Sequence, residues 1–418
     1  MDSNGSGRRT FLKSAAALAG VAAGAGAGAE WAKGQSAKAA EGAAKEPHAH
    51  NPSRRGVRMS VDHITYYTPL QDYVGIITPA QLHFVQYHAS HFPEIDIAQH
   101  RLTIHGLVDR QLTFTVDELK SLPSVSRIHF LECHANSSPQ SHHAGNPNTG
   151  LPVQYIHGMT SCSEWTGVPL SVLLNEVGVK KEGTWLVSEG GDPGKFSHTL
   201  PMGKAMDDVL VAYGQNGEPL RVEQGYPIRL LVPGWEAPFS VKYLRHIKVV
   251  DQPYHAWNEA MNHSIPRADL DGKARWYHFQ FGPKSVITRP SAGMKIAKKG
   301  YVQITGIAWS GGGVVKKVDI STDGGKTWKE AKLQGPVVPK AHTRFTFDWA
   351  WEGQEAVIMS RCTDELDEVQ PSRAELYKNW GISEAEANKP ASRAIHTNAM
   401  QPWSVARDGS VENAMYTA

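Results

Sequence analysis

Residues 126–138, Ser126-Arg127-Ile128-His129-Phe130-Leu131-Glu132-Cys133-His134-Ala135-Asn136-Ser137-Ser138, place apolar positions at Ile128, Phe130 and Leu131, then a lone cysteine followed by polar turn formers. A strand that ends this way delivers one sulfur to the edge of a sheet, where the chain turns away and a pocket can open. Cys133, His134 and Asn136 are therefore the first candidates for chemistry. An inert core cysteine is the other reading of this stretch alone, because free cysteine is among the most often buried side chains.

An apolar share of 40% over 418 residues is globular, with enough chain for two domains and a leader. The net charge of +2 favours neither nucleic acid nor a membrane surface. No apolar run reaches the roughly 18 residues of a membrane-spanning helix. Cys133, Cys162 and Cys362 are too few for a disulfide scaffold, and no C-x-x-C occurs, which excludes covalent c-type haem within this chain. Near the N-terminus, Arg8-Arg9-Thr10-Phe11-Leu12-Lys13 precedes a mild Ala/Gly-rich stretch. This looks like a twin-arginine export signal over residues 1–36, although Gly7 stands where Ser or Thr is commoner, and a plain basic N-terminus is the alternative. That route carries folded proteins to the periplasm, so it suggests a cofactor inserted beforehand. Residues 37–60 read as linker.

A first domain is expected over residues 61–258. His83, His88 and His91 match no helical zinc spacing, which favours hydrogen-bonded or solvated histidines over a metal site. Thr115 to Glu118 fits a capping box, and residues 170–177 fit an amphipathic helix closed by Gly178. Trp165 falls on an expected loop, able to wall a pocket or simply to pack. The segment 190–208 is glycine-bearing but lacks the order of a nucleotide-phosphate loop; its backbone amides can still bind an anion. Arg229 interrupts the apolar run Ile228 to Val232, where a guanidinium is costly unless it meets an anion or carboxylate. Lys242 sits in a second strand-like run, with a snorkelling surface lysine as the bland alternative. Beyond Pro266 short alternating strands and turns such as Asp323-Gly324-Gly325 argue for an all-β sandwich of immunoglobulin type over 259–375, concerned with subunit contact. A polar tail, 376–418, carries His396, Asn398 and Trp403 and is expected to fold back over the first domain.

Through LECHAN, HGMTSCSEWTGVPL, EQGYPIRLLVPGW, VKYLRHIKV and STDGGKTW, the chain resembles the sulfite oxidase family of molybdenum enzymes, and within it the branch that oxidises sulfane sulfur in bacterial thiosulfate oxidation. The resemblance implies an α+β protein: a mixed α/β molybdopterin domain followed by the immunoglobulin-like sandwich as a dimerisation domain. It implies a molybdenum–molybdopterin cofactor, with Cys133 as the thiolate ligand of the metal, a soft sulfur of low pKa. His88, Arg229 and Lys242 match positions that hold the pterin and its phosphate, with Phe84 beside them and Asp192 and Ser197 as further contacts. Tyr213 matches the active-site tyrosine and Trp165 a pocket-wall tryptophan. Gln86, Ser138 and His396 stand where related enzymes place arginines around a substrate anion. A pocket poorer in guanidinium groups suits sulfur arriving on a carrier protein's cysteine better than a free dianion. A c-type cytochrome is the implied electron acceptor, in a homodimer or a heterotetramer with that cytochrome. The alternatives are a sulfite dehydrogenase or an oxidoreductase for another small oxyanion, a non-catalytic exported scaffold, and a zinc or copper site at Cys133, His134, His142 and His143.

Overall fold

The structure, a computed structural model, describes residues 57–59, 64–89, 91–138, 150–261, 263–266, 275–276, 278–383, 385 and 397–415. The export signal expected over 1–36, together with His142, His143 and His396, lies outside the described residues.

One three-stranded sheet, Val57–Met59, Ile64–Tyr66 and Val85–Tyr87, and two five-stranded sheets build the first half. One has the order Leu112–Thr115, Arg101–Gly106, Leu244–Val250, Trp185–Gly190, Ser197–Pro201. Its centre is mixed, because Leu244–Val250 runs parallel to Arg101–Gly106 and antiparallel to Trp185–Gly190. The other sheet has Glu218–Pro219, Leu210–Gln215, Thr160–Pro169 and Val125–Glu132 in that order, with Arg229–Leu231 also paired to Leu210–Gln215. Between them lies an apolar core that includes Leu102, Ile104, Val168, Leu186, Val211, Leu230 and Ile247. Local signals in the sequence set the helix ends. The Thr115 hydroxyl accepts from Glu118 N at 3.1 Å while the Glu118 carboxylate accepts from Thr115 N at 2.9 Å, opening the helix Val116–Lys120. Gly178, at φ 67°, closes the helix Leu170–Val177, whose buried face is Leu170, Leu173, Leu174 and Val177.

The second half is two antiparallel sheets. Lys284–Arg289, Gly300–Trp309, Thr343–Trp351 and Lys332–Gln334 form one; Lys329–Glu330, Val315–Ser321, Ala356–Asp364, Trp403–Val405 and Val411–Asn413 form the other. Ile304, Ile307, Val318, Ile320, Phe345, Ile358 and Trp403 fill the core between them. The same core runs on without a break into Leu70, Phe130, Val153, Ile156 and Cys162 of the first half. Among its described residues the tail joins the second half rather than covering the first as expected. Its apolar residues Trp403, Val405 and Val411 pair into the sandwich sheet, and Gln401 reaches back, with Oε1 3.0 Å from His157 Nε2.

Candidate active site

The strand Val125–Glu132 passes from exposed to fully buried along its length, and Cys133 follows its last residue with only 5% of its surface exposed. The turn after it is held from inside. Cys133 N donates to Met159 O and Asn136 N donates to Cys133 O, both at 2.9 Å. The Asn136 amide group gives one N–H to Glu132 Oε1 at 2.9 Å and another to His157 O at 3.0 Å, while its oxygen accepts from Met159 N at 3.1 Å. An amide carries both donors and an acceptor on one short side chain, which is what this turn uses.

Behind the turn lies a fully buried ion pair. Lys284 Nζ, from the first strand of the sandwich, is 2.6 Å from Glu132 Oε1 and donates to Ser137 Oγ at 2.9 Å, and Trp309 Nε1 donates to Glu132 Oε2 at 2.6 Å. Burial pulls the Lys284 ammonium below its ordinary range, against the pull of Glu132. The second half thus buttresses the residue next to Cys133.

Cys133 opens into a cleft of about 720 Å³, part of it open to solvent, which also takes in Phe84, Gln86, His88, Asp192, Arg229 and Lys242. Those six come from four separate segments, and Phe84, Gln86 and His88 flank or lie on Val85–Tyr87 of the three-stranded sheet, so the packing of three sheets gathers them. Arg229 is buried, its Nη1 and Nη2 donating to Gln224 O at 3.1 Å and Ser240 O at 2.8 Å, its plane 5.2 Å from the Trp165 ring centroid. No carboxylate among the described residues pairs with it, and burial pulls it down to about 9. Lys242 is half-buried, with Nζ donating to Glu223 O at 2.8 Å and Gln86 O at 3.2 Å, so it is not a surface snorkel. Arg229, held on neutral carbonyls beside the cavity, keeps its charge for an anion. Asp192 folds its own loop, accepting from Gly194 N at 3.2 Å and Phe196 N at 3.3 Å.

Five expectations need correction. Tyr213 is not at the cavity: along Leu210–Gln215, Leu210 and Ala212 face the cluster that contains Cys133, while Val211 and Tyr213 face the core between the sheets. Strand alternation alone sends it to the wrong side, and the tyrosines on the cavity wall are Tyr87 and Tyr243. Trp165 lies within the strand Thr160–Pro169, not on a loop; it is fully buried, donates from Nε1 to His129 O at 3.1 Å and supports Arg229 from beneath rather than forming the wall. Cys133 is not acidic by itself, since burial pushes its thiol up to about 12. Ser197 begins a strand and does not line the cavity, and Ser138 is buried away from it. The sequence reading missed His83, Gln224, Ser240, Tyr87 and Tyr243 as lining residues. The E-Q-G-Y stretch at 223–226 offered a signal only through its spacing to Arg229.

Cationic side chains, amide and hydroxyl groups and a buried thiol that line one cavity suit an anionic pterin carrying a metal. A metal that binds the sulfur supplies the stabilisation that burial denies the free thiolate.

Comparison with known proteins agrees. Residues 88–258 match the oxidoreductase molybdopterin binding domain, and residues 276–389 match the Mo-co oxidoreductase dimerisation domain. The chain is 29% identical over 370 residues to a sulfite oxidase of Gallus gallus, covering 81% of this chain and 78% of that protein. It is 30% identical over 339 residues to an NADH nitrate reductase of Ulva prolifera, covering 71% of this chain but only 38% of that longer protein. Among solved structures it is similar to the sulfane dehydrogenase SoxCD from Paracoccus pantotrophus, with a TM-score of 0.78 and 39% identity over 86% of this chain and 90% of that one. A likeness of that extent, joined to a cavity with these cations and this thiol, means that the chain belongs to the sulfite oxidase family of molybdenum oxidoreductases and takes a molybdenum–molybdopterin cofactor.

Proposed function

We propose that this protein oxidises sulfane sulfur presented on a carrier protein's cysteine, and passes the electrons singly to a c-type cytochrome. The observation that carries the substrate class is Gln86, an uncharged amide on the cavity wall where the resemblance leads one to expect a guanidinium. A free sulfite dianion in a buried site needs compensating charge; sulfur arriving on a carrier does not. The similarity to a sulfane dehydrogenase over nine-tenths of that chain supports the same class.

When bound, the molybdenum–pterin group supplies oxygen-atom transfer and storage of two electrons. The chain's own residues do the rest. Arg229, Lys242 and His88 would hold the anionic part of the cofactor, with Phe84 and Asp192 as further contacts on the same cavity and Ser197 near the end of the Asp192 loop. Cys133 gives up its proton on ligation, and its turn, pinned by Asn136 and Glu132, keeps the sulfur at one position. Trp165 keeps the Arg229 plane level. Electron exit is assigned in this reading to a second protein, the c-type cytochrome.

The same reading includes export through the twin-arginine route to the periplasm, a molybdopterin domain over 61–258, an immunoglobulin-like sandwich over 259–375, and a tail over 376–418. The match to a dimerisation domain over 276–389 supports a homodimer, or a heterotetramer with the cytochrome.

The test is reduction of cytochrome c by the molybdenum-loaded enzyme with persulfide-loaded carrier, thiosulfate or sulfite as donor. The carrier persulfide should be oxidised in preference to sulfite, and Cys133→Ser should abolish turnover. Preference for free sulfite would establish the sulfite dehydrogenase that the likeness to the Gallus gallus enzyme favours, and full activity in Cys133→Ser would remove the ligand assignment.

A further inference from the structure

Gln86, the side chain that carries the substrate class, has a support of its own. It lies on the strand Val85–Tyr87, directly across from Thr65 on the antiparallel strand Ile64–Tyr66. Residues opposed in this way project to the same face, with Cβ atoms about 4.5–5.5 Å apart. The alternate residues Ile64, Tyr66, Val85 and Tyr87 pack with Tyr243 in an apolar cluster, which fixes the register. Thr65 and Gln86 are thereby left on the opposite face, where Gln86 lines the cavity.

Two polar groups of Gln86 are already engaged. Its main-chain oxygen accepts from Lys242 Nζ at 3.2 Å, and its side-chain Oε1 accepts from Thr65 Oγ1 at 2.7 Å. Nε2, which carries a pair of N–H donors, has no partner among the described residues and is what the side chain can offer to the contents of the cavity. Thr65 decides that this end of the amide faces inward. It is only 5% exposed, and a buried hydroxyl hydrogen needs an acceptor. With the amide oxygen toward it, the hydroxyl donates and both groups are satisfied. Turned over, the amide could donate to Thr65 Oγ1, but the hydroxyl hydrogen would lose the acceptor that the described residues give it. Stranding a buried donor costs more than an ordinary hydrogen bond returns, so the observed orientation wins. An uncharged pair of donors suits a sulfur or oxygen acceptor that carries little charge, where a guanidinium would match a dianion.

We propose that Thr65 is a positioning residue for substrate recognition: acting through Gln86, its hydroxyl holds the amide so that both Nε2 donors face the substrate's sulfur group. This rests on Gln86 meeting the substrate, as proposed above, and the experiment separates the two.

Turnover by the molybdenum-loaded enzyme is followed with whichever of persulfide-loaded carrier and sulfite the parent oxidises faster, so the outcome does not depend on which donor that is. Thr65→Val keeps the shape and the β-branch and removes the hydroxyl; kcat/KM should fall about 3- to 10-fold, the worth of one neutral hydrogen bond. Thr65→Ser keeps the hydroxyl and should stay within about twofold of the parent. In the Gln86→Ala background, where no amide remains to be held, Thr65→Val should change kcat/KM by less than about twofold. A role in packing alone would lower Thr65→Ser as well and would persist in that background. A second readout needs no cofactor. In the metal-free full chain with 15N-labelled glutamine side chains, the Gln86 Nε2 signals, identified by their absence from Gln86→Ala, should move in Thr65→Val and hold their place in Thr65→Ser. Unmoved signals in Thr65→Val, or an equal loss of kcat/KM in both backgrounds, overturns the proposal. A loss in Gln86→Ala with none in Thr65→Val overturns it and leaves the substrate reading standing; no loss in Gln86→Ala removes both.

Discussion

Replacing Lys284 by methionine should destabilise the protein by about 3 kcal/mol, and the size follows from what is left behind. Methionine keeps most of the alkyl volume, so the packing loss is small. Glu132 then remains wholly buried, having lost the ammonium 2.6 Å away. Breaking a buried pair from one side costs about 3–5 kcal/mol. The lower end applies because Asn136 Nδ2 and Trp309 Nε1 still donate to the carboxylate. That is on the order of a hundredfold in the folding equilibrium, at about 1.4 kcal/mol per tenfold. The double variant Lys284→Met with Glu132→Gln removes the stranded charge and should recover most of the loss. Denaturant unfolding of the metal-free protein, comparing midpoints at equal slope, reads both variants. A single variant within about 1 kcal/mol of the parent, or a double variant no better than the single, would refute the reasoning.

Arg229→Met should leave the fold in place and weaken cofactor retention by about 10- to 100-fold, the worth of a charge-assisted bond or two; molybdenum and pterin content after gel filtration measures it, and full retention would show that this guanidinium is not a cofactor contact. Asp208 bridges the halves, with Lys204 Nζ and Lys340 Nζ each 2.6 Å from its oxygens. Burial raises its carboxyl, the two ammonium groups outweigh that, and the folded value lies below the ordinary 3.8. The sign is then set: the unfolded chain binds the proton first, so the stability that Asp208 contributes is present above 3.8 and fades as pH falls through the folded value. The gap in unfolding midpoint between the parent and Asp208→Asn should accordingly be constant from pH 5 to 7 and narrow at pH 3; a gap that widens on acidification contradicts the bridge.

The features that could be read from sequence were those with local causes. The strand into Cys133, the Thr115 capping box and the Gly178 helix end depend on residues within a turn or two of each other, and Arg229 announced its need for an anion by sitting in an apolar run. Tyr213 and Trp165 were misplaced because the face a strand residue presents depends on register against its neighbours, which no short motif encodes. The Glu132–Lys284 pair joins residues 152 positions apart, and His263 and His134 lie 129 positions apart, so neither leaves a pattern in either segment alone. The tail strands escaped notice for a similar reason: Trp403 and Val405 are a short apolar pair whose partner strand, Ala356–Asp364, lies far upstream.

The dependence of the Cys133 turn on Lys284 and Gln401 has a bearing on biosynthesis. A ribosome releases the turn long before it makes either support, so during most of translation the sulfur hangs on an unbraced loop, and the apolar side of Phe130, Val153 and Ile156 lacks its cover. A chain truncated before position 401 should therefore retain less molybdenum and pterin than the full chain, because the turn that carries Cys133 loses one of its two supports.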